Sequence, residues 1–391
     1  MSGAELVTLG CRLNIAESER MRAMMAGERD LVVVNSCAVT REAVRQTRQA
    51  IRRARRANPA ARLIVTGCAA ETEREAIAAM PEVDGLVANA AKLDPRAWNL
   101  PETAPPAPKH RTRAFVAVQN GCDHACTFCV IPQGRGASRS LTIAEVLREV
   151  ERHLMEGAPE IVLTGVDVTS WGHDLPDRPP LGALVQAILE GFPDLARLRM
   201  SSLDGIEIDP LLFELFASEK RLMPHLHLSL QHGHDLILKR MKRRHSRAQA
   251  VKLVSDLRAR RPDLAVGADL IAGFPTESDE HHEANLSIVR DLQIVHCHVF
   301  PYSPRDNTPA ARMPQVDRAI VKARAAELRA VAAATQAEWL ATLVDKPLSV
   351  LAERDGSGYA ENFARIALPD GMAAGTIATL TPRTIEGRLL V

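Results

Sequence analysis

Short apolar runs alternate with amphipathic stretches along the first hundred residues. The runs at 6–10, 31–36 and 63–67 have the length and bounding residues of buried strands. The stretches between them are rich in Ala, Glu and Arg and predict helices. This β-α-β-α-β order predicts an N-terminal domain, residues 1–100, built on an open parallel sheet.

A proline-rich segment, PETAPPAPK at 101–109, predicts a stiff linker after this domain. Helical patterns such as 143–155 and 248–260 then separate six strand-like runs, at 114–118, 160–164, 195–201, 225–230, 265–272 and 294–300. Repeated β-α units over this length predict a full or partial parallel barrel, residues 112–315. Spacing alone leaves six or eight units open.

The last part of the chain changes pattern twice. A helical stretch at 316–343 follows Pro314, and we expect this connecting helix, within 316–345, to pack on the barrel. Residues 346–391 contain short β-prone runs separated by Asp-Gly or Glu-Gly pairs at 355–356, 370–371 and 386–387. These turn signals predict a small antiparallel β-barrel. The whole chain is therefore predicted to be an α/β protein.

Charge limits how this protein can bind nucleic acid. The chain of 391 residues has a net charge of +1 and only 3% aromatic residues, so RNA binding would require local basic patches. One candidate is the arginine stripe, defined as Arg45, Arg48, Arg52 and Arg56, which recurs at helical spacing. A second basic cluster comprises Lys239, Arg240, Lys242, Arg243, Arg244 and Arg247. Each could be a solvated face, but together they favour RNA binding. Residues 346–391 have balanced charge and add no attraction.

The seven cysteines are an odd number, and no apolar leader or bilayer-length apolar run accompanies them. We therefore expect a reducing, cytoplasmic location and no membrane association. Cys297 lies in the strand-like run at 294–300, between His296 and His298. We interpret it as an inert thiol in the core, and the two histidines as strand residues.

Three cysteines, Cys122, Cys126 and Cys129, form a C-x3-C-x2-C triplet in the run CDHACTFC. Structural zinc normally takes four protein ligands. Three thiolates on a short loop can instead hold three irons of a 4Fe-4S cluster and leave the fourth iron open. That open iron could bind a substrate or cofactor. The alternative is a zinc knuckle completed by His124.

Cys11, Cys37 and Cys68 each follow one of the three predicted N-terminal strands. The carboxyl ends of parallel strands line one crevice, so these thiols should converge. The pattern predicts a second three-thiolate site. Three unrelated buried thiols are the alternative.

These motifs resemble those of the radical S-adenosylmethionine (SAM) methylthiotransferases over essentially the whole chain. The matching stretches are LGCRLN, NSCAVT, TGCAAE, CDHACTFCVIPQGRGASRS, LTGVDVTSWG, HLHLSLQHG, LIAGFPTE and HVFPYSPRDNTPA. The resemblance implies an open six-unit barrel, a C-terminal domain of the TRAM type, SAM as cofactor, and a 4Fe-4S cluster on each cysteine triplet. Cys122, Cys126 and Cys129 would be the catalytic set.

The resemblance also implies an activity. Members of this family insert sulfur at an unactivated C–H bond and methylate it, using a radical derived from SAM. The sequence GCRLN with NSCAVT is similar to the branch that modifies adenine C2 of N6-threonylcarbamoyladenosine at tRNA position 37. The implied partners are the tRNA anticodon stem-loop and an electron donor such as flavodoxin or ferredoxin. Alternatives are another tRNA adenosine, a ribosomal protein side chain, or a cluster-bearing RNA-binding protein without turnover.

Four further residues are candidates for binding SAM. Gly165 follows the second barrel strand and would let the backbone approach a cofactor, or it is an ordinary turn glycine. Ser201 and Gln231 end the third and fourth strands, where barrel enzymes keep their chemistry, although either could cap a helix. Phe128 lies beside the last cysteine of the triplet and would pack on adenine or anchor the loop.

Overall fold

A computed structural model describes residues 4–100 and 112–391, so the predicted linker at 101–109 lies outside the described residues. The N-terminal unit contains, in order, β1 (Glu5–Thr8), α1 (Arg12–Met24), β2 (Leu31–Ser36), α2 (Arg41–Ala57), β3 (Arg62–Gly67), α3 (Cys68–Thr72), α4 (Arg74–Ala78) and β4 (Gly85–Leu86). Its four strands are parallel, in the order β1-β2-β3-β4.

This sheet is covered on both faces, and the first four residues of β2, at 31–34, are apolar. Val32 and Val34 pack with Val44 and Ile51 of α2. Val33, on the opposite face, packs with α1. Thr8 pairs with Asn35, and Asn35 pairs with Thr66. The first three strands therefore end at one edge, as the sequence predicted.

The second unit follows with β5 (Arg113–Ala117), β6 (Gln119–Asn120), α5 (Ile131–Arg135), β7 (Arg139–Ser140), α6 (Ile143–Met155), β8 (Glu160–Thr164), α7 (Leu181–Gly191), β9 (Arg197–Met200), β10 (Ser202–Leu203), α8 (Pro210–Ser218), β11 (His225–Gln231), α9 (Asp235–Arg240), α10 (Arg247–Arg260), β12 (Ala265–Ala272), α11 (Asp279–Asp291) and β13 (Ile294–Pro301). The main strands form two parallel ladders, β5-β8-β9 and β10-β11-β12-β13. Only Ser201 separates β9 from β10, so the arrangement is a partial barrel of six parallel segments. This confirms the expected fold class.

The barrel strands alternate between an apolar outer face and a polar inner face. In β11, Leu226, Leu228 and Leu230 belong to the hydrophobic core beneath the helices. The intervening residues of the same strand, His225, His227, Ser229 and Gln231, lie on the inner face. The barrel therefore encloses polar chemistry rather than a purely apolar core.

The connecting helix is α12 (Arg318–Ala341), and its Ala325 and Leu328 pack into the barrel core. The third unit contains β14 (Leu348–Ala352), β15 (Ser357–Ala360), β16 (Arg365–Ala367), β17 (Ile377–Leu380), β18 (Ile385–Glu386) and β19 (Leu389–Leu390). Their order is β17-β14-β15-β16-β19-β18. All pairs are antiparallel except β16 with β19, which is parallel. The predicted antiparallel sheet thus includes one parallel pair.

The third unit covers the amino ends of the barrel strands through the turn between β15 and β16. Phe363, at φ +70°, stacks on His225 of β11 with ring centroids 4.8 Å apart. Arg199 of β9 lies 4.9 Å from the centre of the same ring. This turn forms the floor of the barrel.

No helix in the described part of the chain is long and apolar enough to cross a bilayer.

Candidate active site

The three N-terminal cysteines lie at adjacent strand ends. Cys11 precedes α1, Cys37 follows β2, and Cys68 begins α3. Gly10, at φ +95°, lies so close to Cys37 that an added Cβ would be 2.9 Å from its sulfur. Burial raises the pKa of the Cys37 thiol to about 11, and negative charge on Cys11 and Cys68 contributes to this rise. Cys11 is exposed, so one edge of this triplet faces solvent.

The second triplet occupies the loop between β6 and α5. Burial raises the pKa of Cys122 to about 12 and that of Cys129 to about 11. The backbone N–H of Ile131 donates to the Cys129 sulfur at 3.4 Å, and Arg243 lies 3.7 Å from the Cys126 sulfur. Such donors stabilise thiolates. Three neighbouring thiols with donors aimed at two of them fit an iron-sulfur cluster, whose binding would release their protons.

His124 lies inside this loop but is engaged elsewhere. Its Nε2 is 2.6 Å from Asp167 Oδ2 and 3.8 Å from Glu207 Oε2. The hydrogen bond with Asp167, together with the nearby Glu207 carboxylate, raises the pKa of His124 to about 10. The Nε2 of His124 is therefore engaged by a carboxylate in this structure.

The two cysteine triplets approach each other at the junction of the first two units. An added Cβ on Gly134, five residues beyond Cys129, would lie 3.3 Å from Cys68 Cβ. Asn89 Nδ2 donates to Gly134 O at 2.6 Å and lies 3.9 Å from the Cys68 sulfur. Charge on Cys68 also contributes to the raised pKa of Cys129. The two triplets therefore lie on segments of the two units that pack against each other.

A buried ion network, defined as Glu17, Lys92 and Arg135, joins the two units beneath the cysteines. Their exposed fractions are 2%, 1% and 6%, so all three charges are removed from water. Lys92 Nζ is 2.5 Å from Glu17, and Arg135 donates to Glu17 at 2.9 and 3.1 Å. Burial opposes ionisation of Glu17, but Lys92 and Arg135 hold its pKa below the usual range.

The four SAM candidates have different surroundings. Ser201 is buried, and its hydroxyl has no hydrogen-bond partner among the described residues. Gln231 ends β11 at φ +69°. Gly165 is packed so closely on Gln119 that an added Cβ would lie 2.9 Å from its carbonyl oxygen, and Phe128 packs edge-on to Phe274. All four stay predictions, and Ser201 has the clearest unmet hydrogen-bonding need.

The inner face holds groups that the sequence analysis did not single out as functional. His227 and His298 each lie 3.0 Å from the same oxygen of Asp269. His225 is buried, and neither ring nitrogen has a partner among the described residues. The sequence signal for these groups was the alternation of polar and apolar residues in HLHLSLQ. A parallel strand buried on both faces is usually apolar at nearly every position, so the alternation indicates a polar inner face.

The two basic patches differ in how free their charges are. In the arginine stripe, Arg45, Arg48 and Arg52 face Glu42, Glu73 and Glu82 at 2.5 to 3.7 Å, with the arginine side chains 40% exposed or more. In the second basic cluster, Arg243 and Arg244 pair with Asp204, and Arg247 pairs with Asp291. Much of that cluster is therefore structural, and the stripe offers more accessible charge.

Comparison with known proteins agrees with this geometry. Residues 116–287 match the Radical SAM superfamily, and residues 4–88 match a family described as Uncharacterized protein family UPF0004. One solved structure, the radical S-adenosylmethionine methyltransferase TsrM from Kitasatospora setae with cobalamin and a 4Fe-4S cluster bound, has a TM-score of 0.57 at 15% identity and covers 80% of this chain and 77% of that chain. Fold and site thus define a radical SAM protein, a class that uses SAM and a 4Fe-4S cluster.

Relatives in sequence narrow the class. The chain is 43% identical to "Threonylcarbamoyladenosine tRNA methylthiotransferase MtaB" of Rickettsia prowazekii, over 95% of this chain and 93% of that protein. It is 32% identical to "tRNA-2-methylthio-N(6)-dimethylallyladenosine synthase" of Paracoccus denitrificans, over 89% of this chain and 85% of that protein. The chain belongs to the radical SAM methylthiotransferase family. This confirms the resemblance inferred from the motifs and the prediction of an enzyme.

Proposed function

We propose that this protein methylthiolates adenine C2 of N6-threonylcarbamoyladenosine at position 37 of tRNA. The observation that carries the proposal is the close packing of Gly134, five residues beyond Cys129, against Cys68, in a chain similar to an MtaB enzyme. Cys122, Cys126 and Cys129 would hold one 4Fe-4S cluster, and Cys11, Cys37 and Cys68 would hold a second.

When bound, SAM and the two clusters would supply the radical that activates the adenine C–H bond, the sulfur atom and the methyl group. The chain itself holds the two sites together. Asn89 ties the Cys68 helix to Gly134, and the buried ion network fixes the units in one orientation. The barrel floor and walls exclude water around the reacting atoms. Ser201 and Gln231, at the carboxyl ends of their strands, would contact SAM.

Substrate RNA would approach along α2. Arg41, at the start of this helix, lies 3.4 Å from Asp306 in the loop after β13, so the stripe leads toward the carboxyl rim of the barrel. Its arginines would contact phosphates of the anticodon stem-loop. Reduction would come from a protein such as flavodoxin or ferredoxin. A tRNA substrate implies action in the cytoplasm.

Nucleoside mass spectrometry of tRNA, from cells with and without the gene, tests the proposal. We expect loss of the 2-methylthio form and accumulation of unthiolated N6-threonylcarbamoyladenosine. An unchanged profile of this nucleoside would refute the assignment. Loss of the methylthio group from a dimethylallyladenosine derivative or from a ribosomal protein would instead identify one of the other substrates.

A further inference from the structure

Arg12 directly follows Cys11, yet its side chain reaches the floor of the barrel. Its guanidinium carbon lies 5.7 Å from the centre of the Phe363 ring. The neighbouring charges are those of Arg113, Arg199 and Glu160. One half-buried residue therefore links the cysteine edge of the N-terminal sheet to the innermost part of the barrel.

The charges around Arg12 are already paired with one another. Arg199 donates to Glu160 at 2.7 Å, and Arg113 donates to Glu353 at 2.7 Å. The Arg12 side chain has no hydrogen bond or ion pair to any residue in the part of the chain that the structure describes. A guanidinium held in this way lacks an anion.

A second observation at the floor also indicates a missing ligand. His225 is 2% exposed, and both its ring nitrogens lack a partner among the described residues. Burial lowers its pKa well below the usual value, so the ring is neutral and retains one N–H donor. A buried polar group without a partner is costly unless a ligand completes it.

We propose that Arg12 is a specificity-determining residue that binds the carboxylate of the threonyl group on the substrate base. This inference rests on the proposed function. N6-threonylcarbamoyladenosine carries that carboxylate, whereas the dimethylallyl group named for the relative from Paracoccus denitrificans is apolar. A guanidinium binds a carboxylate through two parallel hydrogen bonds, and an apolar group would leave it unpaired. Because the Arg12 side chain runs from the position after Cys11 to the barrel floor, a base held by this contact would lie between the floor and the N-terminal triplet.

The test compares two anticodon stem-loop RNAs, one with N6-threonylcarbamoyladenosine and one with its neutral methyl ester. For the reconstituted wild-type enzyme, we expect the ester to reduce kcat/KM and RNA affinity by about ten- to hundredfold, the range of a charged hydrogen bond. Arg12→Gln should lose a similar factor with the acid and should treat acid and ester alike. Arg12→Lys should retain part of the preference.

Arg22→Gln, an exposed change on the same helix, is the matched control and should preserve the wild-type preference. Iron content is measured for every variant, because Arg12 adjoins Cys11. If the wild type uses acid and ester equally, or if Arg12→Gln keeps the preference, the inference is wrong while the proposed function stands. If the wild type modifies neither RNA, the proposed function fails and this inference with it.

Discussion

The three residues of the buried ion network should differ in how much their substitution destabilises the protein. Glu17 is the single carboxylate between two cations, Lys92 and Arg135. Glu17→Gln preserves shape and leaves two cations buried beside each other. Arg135→Met removes more hydrogen bonds, including those to Asn14 and Asn120. It leaves the Glu17–Lys92 ion pair, whose two charges balance. We expect the smaller change, Glu17→Gln, to be the more damaging one.

The magnitudes follow from burial. Removing one partner of a buried ion pair costs about 3–5 kcal/mol, because the remaining charge is uncompensated. We assign this cost to Glu17→Gln, since Lys92 and Arg135 are both at most 6% exposed. Arg135→Met loses hydrogen bonds to a charged group, worth about 1–3 kcal/mol. A domain has only about 5–15 kcal/mol in total, so the first variant should approach the limit of folding.

Urea unfolding followed by circular dichroism measures both variants, and hydrogen–deuterium exchange of α1 localises the effect. Exchange in α1 should rise more in Glu17→Gln than in Arg135→Met. Glu42→Gln, at an exposed pair with Arg45, is the control and should leave the unfolding curve unchanged. If Arg135→Met were equally or more destabilising, hydrogen-bond number rather than unpaired charge would govern this interface.

Three other predictions follow from the cysteines, the arginine stripe and the barrel floor. Replacing Cys11, Cys37 and Cys68 with Ala should remove about half of the iron and all methylthiolated product but keep reductive cleavage of SAM. Replacing Cys122, Cys126 and Cys129 should abolish this cleavage as well. Full iron content in the first variant would contradict a second cluster. Replacing Arg45, Arg48 and Arg52 with Ala should weaken tRNA binding. It should also lower the slope of log affinity against log salt concentration by less than about 3, because each arginine faces a glutamate. Arg260→Ala on α10 is the control, and identical salt curves for the triple variant and the wild type would refute a role of the stripe in binding. Phe363→Gly should be more stable to urea than Phe363→Ala, because both variants lose the ring but only glycine favours φ +70°. The reverse order of stability would be evidence against backbone strain at this turn.

Features carried by local patterns could be predicted from the sequence. Strand-end cysteines and six parallel segments follow from short apolar runs and their spacing, and β2, α6 and β12 have the predicted bounds. Contacts between distant residues could not be predicted in this way. Glu17 and Arg135 are 118 positions apart, and neither has a periodic signal that identifies its partner.

The second basic cluster shows the same limit. Arg243 and Arg244 resemble a free positive patch in the sequence because their partner, Asp204, lies 39 and 40 positions earlier. The surroundings of the Arg12 side chain could not be predicted from the sequence either. Its place in GCRLN resembles one branch of the family, but only the fold brings its side chain to the floor formed by Phe363.

The turn at Phe363 has a consequence for protein engineering. A chimera between members of this family could be made by exchanging the last domain. Here such an exchange would also replace the residues that close the barrel beneath His225 and Arg199. A graft that starts at β14 therefore changes the floor of the barrel together with the outer surface. Grafts that keep residues 361–364 of the recipient would separate the two effects.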